Sequence, residues 1–155
     1  MKNIVFFKEG ILLMILCLAS VFIMAQQSQV VIGEVRNGVA TITKSSEAVR
    51  VLKGGLSSSA QISNLKLEWV GGAENRYYLV GNVAGDYISA KAISLTQEGG
   101  VLLAIGPGVE ITCTGYKCSS CRIEFQNWKP NCVCDASMIY SDTRCDMISK
   151  VVIGF

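Results

Sequence analysis

The chain contains no histidine. Catalytic sites that depend on an imidazole base, such as a serine–histidine–aspartate triad, are therefore excluded, and so are metal sites with imidazole ligands. Charge is also scarce, because charged residues make up 17% of the sequence and the formal net charge is only +2. Lysine and arginine form no cluster along the chain, so we expect no binding to nucleic acid.

Glycine-rich phosphate-binding motifs are missing as well. The sequence has neither a Gly-Lys-Ser/Thr tripeptide nor a G-x-G-x-x-G pattern, and its paired glycines lie where turns are expected. No nucleophile motif and no pair of carboxylates at a suggestive spacing is present. These absences favour a protein that is not an enzyme and that needs no cofactor.

Residues 1–25 have the pattern of a signal peptide. Lys2 and Lys8 give a positive start, the apolar run from Ile11 to Met24 follows, and Ala25 is a small residue suited to cleavage. The run is shorter than the ~20 apolar residues that a membrane-spanning helix needs. We therefore expect a secreted or periplasmic protein without stable membrane insertion after cleavage, and a retained membrane anchor is the alternative.

Cysteine divides the rest of the chain into two parts. Residues 26–112 contain none, whereas residues 113–155 contain six. Cleavage after Ala25 leaves about 130 residues, enough for a real hydrophobic core. We predict a β-rich domain over residues 26–112 and a cysteine-rich module over residues 113–155.

The first part is predicted to begin with a β-hairpin. Asn37-Gly38 separates Val30–Arg36 from Val39–Thr43, and this dipeptide favours the two positive φ angles of a tight hairpin turn. A short helix is expected next, capped by Ser46 and ending at Lys53.

Short β-prone segments separated by turn residues follow the helix. They predict strands at Leu65–Trp69, Tyr77–Val83, Tyr87–Thr96, Val101–Ile105 and Val109–Cys113, and a final strand at Met147–Phe155. The fold class is therefore α+β and mostly β: a small antiparallel meander with one short helix, followed by a disulfide-rich C-terminal module.

The aromatic residues of two predicted strands have two interpretations. Trp69, Tyr77 and Tyr78 either form a binding face or pack in the core and across neighbouring strands. Strand spacing alone favours packing.

The six cysteines of the C-terminal part are the most informative residues of the chain. An even number of cysteines in an exported protein predicts three disulfides, and six cysteines allow 15 pairings that the sequence leaves open. Each bridge would add ~2–4 kcal/mol to a segment with few apolar residues of its own. The predicted disulfide residues are Cys113, Cys118, Cys121, Cys132, Cys134 and Cys145.

Three other uses of these cysteines are open. The spacing Cys113-x4-Cys118-x2-Cys121 resembles the cluster loop of plant-type ferredoxins, which implies a [2Fe–2S] cluster and electron transfer. A C-x-x-C pair at Cys118 and Cys121 is also compatible with thiol redox chemistry, and four thiolates are able to bind zinc.

The last three cysteines, Cys132-x-Cys134-x10-Cys145, resemble those of epidermal-growth-factor-like modules. That resemblance implies the pairs 113–121, 118–132 and 134–145. The whole layout also resembles a loose group of short exported bacterial proteins with a small β domain and a cysteine-rich end, a group without an established activity.

We conclude that the sequence favours an exported, non-enzymatic binding or structural module stabilised by disulfides. Its partner would be an unidentified protein or small ligand outside the cytoplasm. The alternative is an iron–sulfur or thiol redox protein that uses the C-x4-C-x2-C segment.

Overall fold

The computed structural model describes residues 29–135 and 142–155, so the predicted signal peptide lies outside the described residues. Antiparallel strands dominate this part of the chain, and it contains one short helix, which confirms the predicted fold class. No helix among the described residues has the length and hydropathy needed to cross a membrane.

The helix and strands follow one another along the chain in a simple order. They are β1 (Val30–Arg36), β2 (Val39–Ile42), α1 (Ser45–Lys53), β3 (Gln61–Val70), β4 (Arg76–Ala84), β5 (Ala90–Glu98), β6 (Val101–Ala104), β7 (Gly108–Tyr116), β8 (Cys121–Gln126), β9 (Lys129–Cys134) and β10 (Arg144–Val152).

Strand β5 joins the two parts of an eight-stranded sheet. Its first half lies between β4 and β7, and its second half pairs with β6. From β4 the sheet continues to β3, from β7 to β10, and from β6 to β1 and β2. Residues of both parts share one apolar cluster with α1, so the sheet curves around a common core.

The hairpin at Asn37-Gly38 is present as predicted. Arg36 lies opposite Val39, and the two turn residues have φ angles of 52° and 77°. Positive φ at both central positions is what a two-residue turn of this hand requires.

The helix is present, but the prediction that Ser46 caps it was wrong. The helix begins at Ser45, Lys44 occupies the N-cap position, and no side chain makes a capping hydrogen bond there. Burial holds α1 in place instead, because Ala48, Val51 and Leu52 are buried in the common core.

Several strands extend beyond their predicted ends. Strand β3 begins four residues before Leu65, and β10 covers Arg144–Val152 rather than Met147–Phe155. Strand β7 runs through Cys113 to Tyr116, so a single strand crosses the position where the sequence divides. The division into domains 26–112 and 113–155 stays a prediction.

A second hairpin, β8 and β9, was not predicted from the sequence. It covers the face of the sheet opposite α1 and forms a second apolar cluster with strands β4, β5 and β7. Within this cluster the ring of Phe125 lies 4.9 Å from that of Tyr78. The central sheet is therefore buried on both faces, by the helix on one side and by the cysteine-rich hairpin on the other.

Candidate functional site

The six predicted cysteines form three disulfides in the structure. Cys113 pairs with Cys132, Cys118 with Cys134, and Cys121 with Cys145, with Cα–Cα distances of 5.7, 5.8 and 6.0 Å. These distances lie within the usual range for disulfides. The bonds agree with a disulfide-stabilised C-terminal region and indicate an oxidising compartment.

Each bridge fastens the β8–β9 hairpin to a different neighbour. The bond from Cys113 attaches β9 to the central sheet, and the bond from Cys121 attaches β8 to β10. The third bond, from Cys118, connects the loop before β8 with the end of β9. Cys113 and Cys121 are fully buried, so their sulfur atoms also pack within the second apolar cluster.

The pairing differs from the one implied by the epidermal-growth-factor-like resemblance, in which Cys113 would bond to Cys121. Cys118 and Cys121, the C-x-x-C pair, are not bonded to each other either. Three sulfurs nevertheless lie within 4.8 Å of one another, those of Cys118, Cys121 and Cys145. These are not the three cysteines of the ferredoxin-like spacing, because the set contains Cys145 and not Cys113.

A groove of about 490 Å³ lies at the end of strands β3, β4 and β5. Trp69 lies opposite Tyr77 on the neighbouring strand, and Tyr77 lies opposite Leu95. The rings of Trp69 and Tyr77 are 4.8 Å apart at an angle of 55°. Trp69 keeps 46% of its surface exposed, so it presents a large apolar area to the groove.

The groove combines this indole with a polar rim. Asn75, Thr96 and Gln97 contribute amide and hydroxyl groups. Glu74 and Arg76 also line it, and they form an ion pair with an O–N distance of 3.2 Å. Because the two opposite charges compensate each other, the groove carries no excess charge.

The structure separates the three aromatic residues that the sequence singled out. Trp69 and Tyr77 lie on the side of the sheet that leads into the groove, whereas Tyr78 points to the other side and is 2% exposed. Burial raises the pKa of Tyr78, and the nearby Glu74 adds to that effect. Of the two tyrosines and Trp69, it is Trp69 that lines the groove, while Tyr78 has a packing role.

A buried ion pair was missed by sequence reasoning. Lys91 on β5 and Glu110 on β7 lie 2.8 Å apart, and Lys150 on β10 contacts the other oxygen of Glu110, also at 2.8 Å. The hydrogen bond to Glu110 raises the pKa of Lys150. The sequence hinted at this cluster only in that all three charged residues lie inside predicted strands.

Several carboxylates contact basic side chains in the structure. Glu68 pairs with Lys66 and Asp146 pairs with Arg144, at 2.5 and 3.1 Å. Each of these carboxylates therefore has a basic partner, whereas a general acid–base pair needs two titratable groups placed in different environments.

Any function assigned to this chain rests on its own residues, because comparison with known proteins gives no relative. No protein-family model, no curated protein and no solved structure matches this chain.

Proposed function

We propose that this protein is an exported binding module that takes a neutral oligosaccharide in the groove at Trp69. The half-exposed indole of Trp69 is the observation that carries the proposal. Burying such a ring under a ligand removes a large apolar surface from water, and Trp is enriched among residues that dominate binding energy.

The chemistry of the rim selects the ligand class. Amide and hydroxyl groups of Asn75, Thr96 and Gln97 are suited to hydrogen bonds with sugar hydroxyls, while the apolar face of a sugar ring stacks on the indole. The ion pair between Glu74 and Arg76 leaves no net charge to attract an acidic or basic ligand. An uncharged polar ligand with one apolar face fits these requirements.

Export is the second part of this proposal. Three disulfides support an oxidising compartment. The signal-peptide pattern of residues 1–25 directs the chain to export, and the peptide is cleaved after Ala25. N-terminal sequencing of protein recovered outside the cytoplasm is expected to begin at Gln26, and an intact chain in the membrane fraction would contradict export.

The groove is tested by titrating the oxidised protein with neutral oligosaccharides of several linkages and following tryptophan fluorescence and binding heat. Trp69→Ala is expected to weaken binding by about tenfold or more. Trp128→Ala is the matched control, because Trp128 is 57% exposed but lies against Gly71 and Gly72, outside the groove lining.

Two outcomes would contradict a saccharide site. One is the absence of binding across the panel, which would leave a purely structural module. The other is equal loss of binding in both tryptophan variants, with thermal unfolding curves showing that both remain folded.

The redox alternative has one observation in its favour, the closeness of three sulfurs. The Sγ atoms of Cys118 and Cys145 lie 3.7 Å apart although they belong to different bridges. Thiol or iron–sulfur chemistry would require these bridges to open. Counting thiols in the native protein separates the two functions, because the binding module has no free thiol and a redox protein isolated in its reduced form has at least two.

A further inference from the structure

Strand β10 is the edge of the sheet. All nine of its residues, Arg144 to Val152, pair with β7 on one side. No strand among residues 29–135 and 142–155 pairs with its other side. A long edge strand of this kind presents a row of backbone N–H and C=O groups to another chain.

The side chains of β10 leave a large apolar area at this edge. Met147, Ile148 and Val151 are 45%, 59% and 69% exposed. Soluble proteins commonly shield such edges with proline, a bulge, a very short strand or charged side chains. Strand β10 has no proline and no bulge over its nine paired residues, and its charged residues are Arg144, Asp146 and Lys150. Apolar residues on an open edge favour strand pairing with a partner.

The charges of β10 complement a second copy of the same strand. Two identical antiparallel strands related by a two-fold axis place one residue opposite itself, and every contact occurs twice. With Ile148 on the axis, Asp146 of each copy lies directly opposite Lys150 of the other. Asp146 and Lys150 each lie two residues from Ile148, so their side chains are on the same face of the strand. Both pairs of opposite charges therefore form on the same side of the joined sheet.

The neighbouring registers lack this match. An axis at Met147 places Arg144 opposite Lys150, which sets like charges against each other. An axis at Ser149 places Lys150 opposite Ile148 and Asp146 opposite Val152, so each charge faces an apolar residue. Moving the axis by one residue shifts the pairing by two residues, and only the axes at Met147, Ile148 and Ser149 keep at least seven residues of β10 paired. Among these three, the charge pattern selects Ile148.

We propose that β10 pairs with β10 of a second copy, antiparallel and with the two-fold axis at Ile148. The pairing joins the two sheets edge to edge and shields the exposed Met147 and Ile148. Lys150 is 58% exposed, so its ammonium group is accessible to Asp146 of the second copy while it contacts Glu110. This interface is independent of the groove at Trp69.

Sedimentation of the oxidised protein over a range of concentrations tests the dimer. We expect a monomer–dimer equilibrium that Asp146→Lys shifts toward monomer by about tenfold or more in Kd, since two attractive pairs become repulsive. Asp142→Lys is the matched control, because it makes the same charge change at an exposed residue before β10. A protein that stays monomeric up to millimolar concentration would overturn the proposal.

Cross-linking tests the register. After the native bridges have formed, Ile148→Cys is expected to give a disulfide-linked dimer through the axis. In the Met147→Cys and Ser149→Cys variants the new thiol does not lie opposite the equivalent thiol of the second copy. These variants are therefore expected to cross-link much less. Preferred cross-linking at either control position, or a dimer that Asp146→Lys leaves intact, would contradict the proposed pairing.

Discussion

Lys91 and Glu110 form an ion pair between adjacent strands, with an N–O distance of 2.8 Å and side chains that are only 1% and 7% exposed. The ammonium group of Lys91 also donates a hydrogen bond to the carbonyl of Gly54, where α1 ends. Glu110 holds a second cation, Lys150 on the edge strand. This buried group of charges therefore links the end of the helix, the central strands and β10.

The two partners are expected to differ in their contribution to stability. Glu110→Gln leaves the ammonium of Lys91 buried without a counter-charge, and we expect it to lower the free energy of unfolding by roughly 3–5 kcal/mol. Lys91→Met leaves Glu110 paired with Lys150 and should cost less, roughly 1–3 kcal/mol. Urea unfolding of both variants measures the difference.

The double variant Lys91→Met/Glu110→Leu is the control for this prediction. It removes both buried charges and replaces them with apolar groups, so it is expected to be more stable than Glu110→Gln alone. Equal losses in the two single variants would show that Lys150 does not compensate for Lys91.

Local signals explain which parts of the fold were predictable. Asn37-Gly38 specifies its own turn through the backbone preferences of two residues, and the structure confirms it. The pairing of Lys91 was not predictable, because its partner Glu110 is distant in sequence and no local pattern joins them.

The β8–β9 hairpin was not predictable for a similar reason. Its turn places Asn127 and Trp128 at φ angles of 51° and 64°, and positive φ is unusual for a large side chain such as tryptophan. Pro130 lies within β9, where proline normally argues against a strand. Disulfides to the rest of the sheet hold this segment, and their pairing cannot be read from sequence.

The turn at Gly38 gives a direct stability prediction. Gly38→Val is expected to lower the free energy of unfolding by more than ~1 kcal/mol, because a β-branched residue resists a φ angle of 77°. Gly154→Val is the matched control, since a Cβ there meets no atom within 4 Å. Thermal unfolding measures both variants, and an unchanged melting temperature for Gly38→Val would contradict this role of the turn.

The disulfide pairing is testable by mass spectrometry. The oxidised protein is expected to be about six mass units lighter than the reduced protein, because each of six thiols loses one hydrogen. Trypsin alone does not identify the partners, since both the observed pairing and the epidermal-growth-factor-like pairing keep all cysteine-containing peptides together.

A second cleavage at Val133, between Cys132 and Cys134, distinguishes the pairings. The observed pairing predicts a two-peptide product that joins Cys113 to Cys132. The epidermal-growth-factor-like pairing would instead release a two-peptide product that joins Cys134 to Cys145. Digestion slightly below neutral pH, where trypsin still cleaves, limits exchange between bridges, because the thiolate is the exchanging species.

The carboxylate of Asp86 holds two loops together. It accepts the backbone N–H of Ser57 at 2.7 Å and that of Ile88 at 3.4 Å. These hydrogen bonds, that from Ser57 above all, lower the pKa of Asp86 below its ordinary value of about 3.8. A carboxyl group with a lowered pKa in the folded state stabilises the fold above its ordinary pKa, and this contribution is lost as the pH falls through the lower, folded value.

Asp86→Asn is therefore expected to lower the melting temperature at pH 6, and the difference from the unmodified protein should shrink as the pH falls below about 3.8. Glu98→Gln removes a negative charge from an exposed position on β5 and is the control. Melting curves between pH 2 and pH 7 measure the effect. A difference that stays constant over this range would show that the charge of Asp86 does not hold the loop at Ser57.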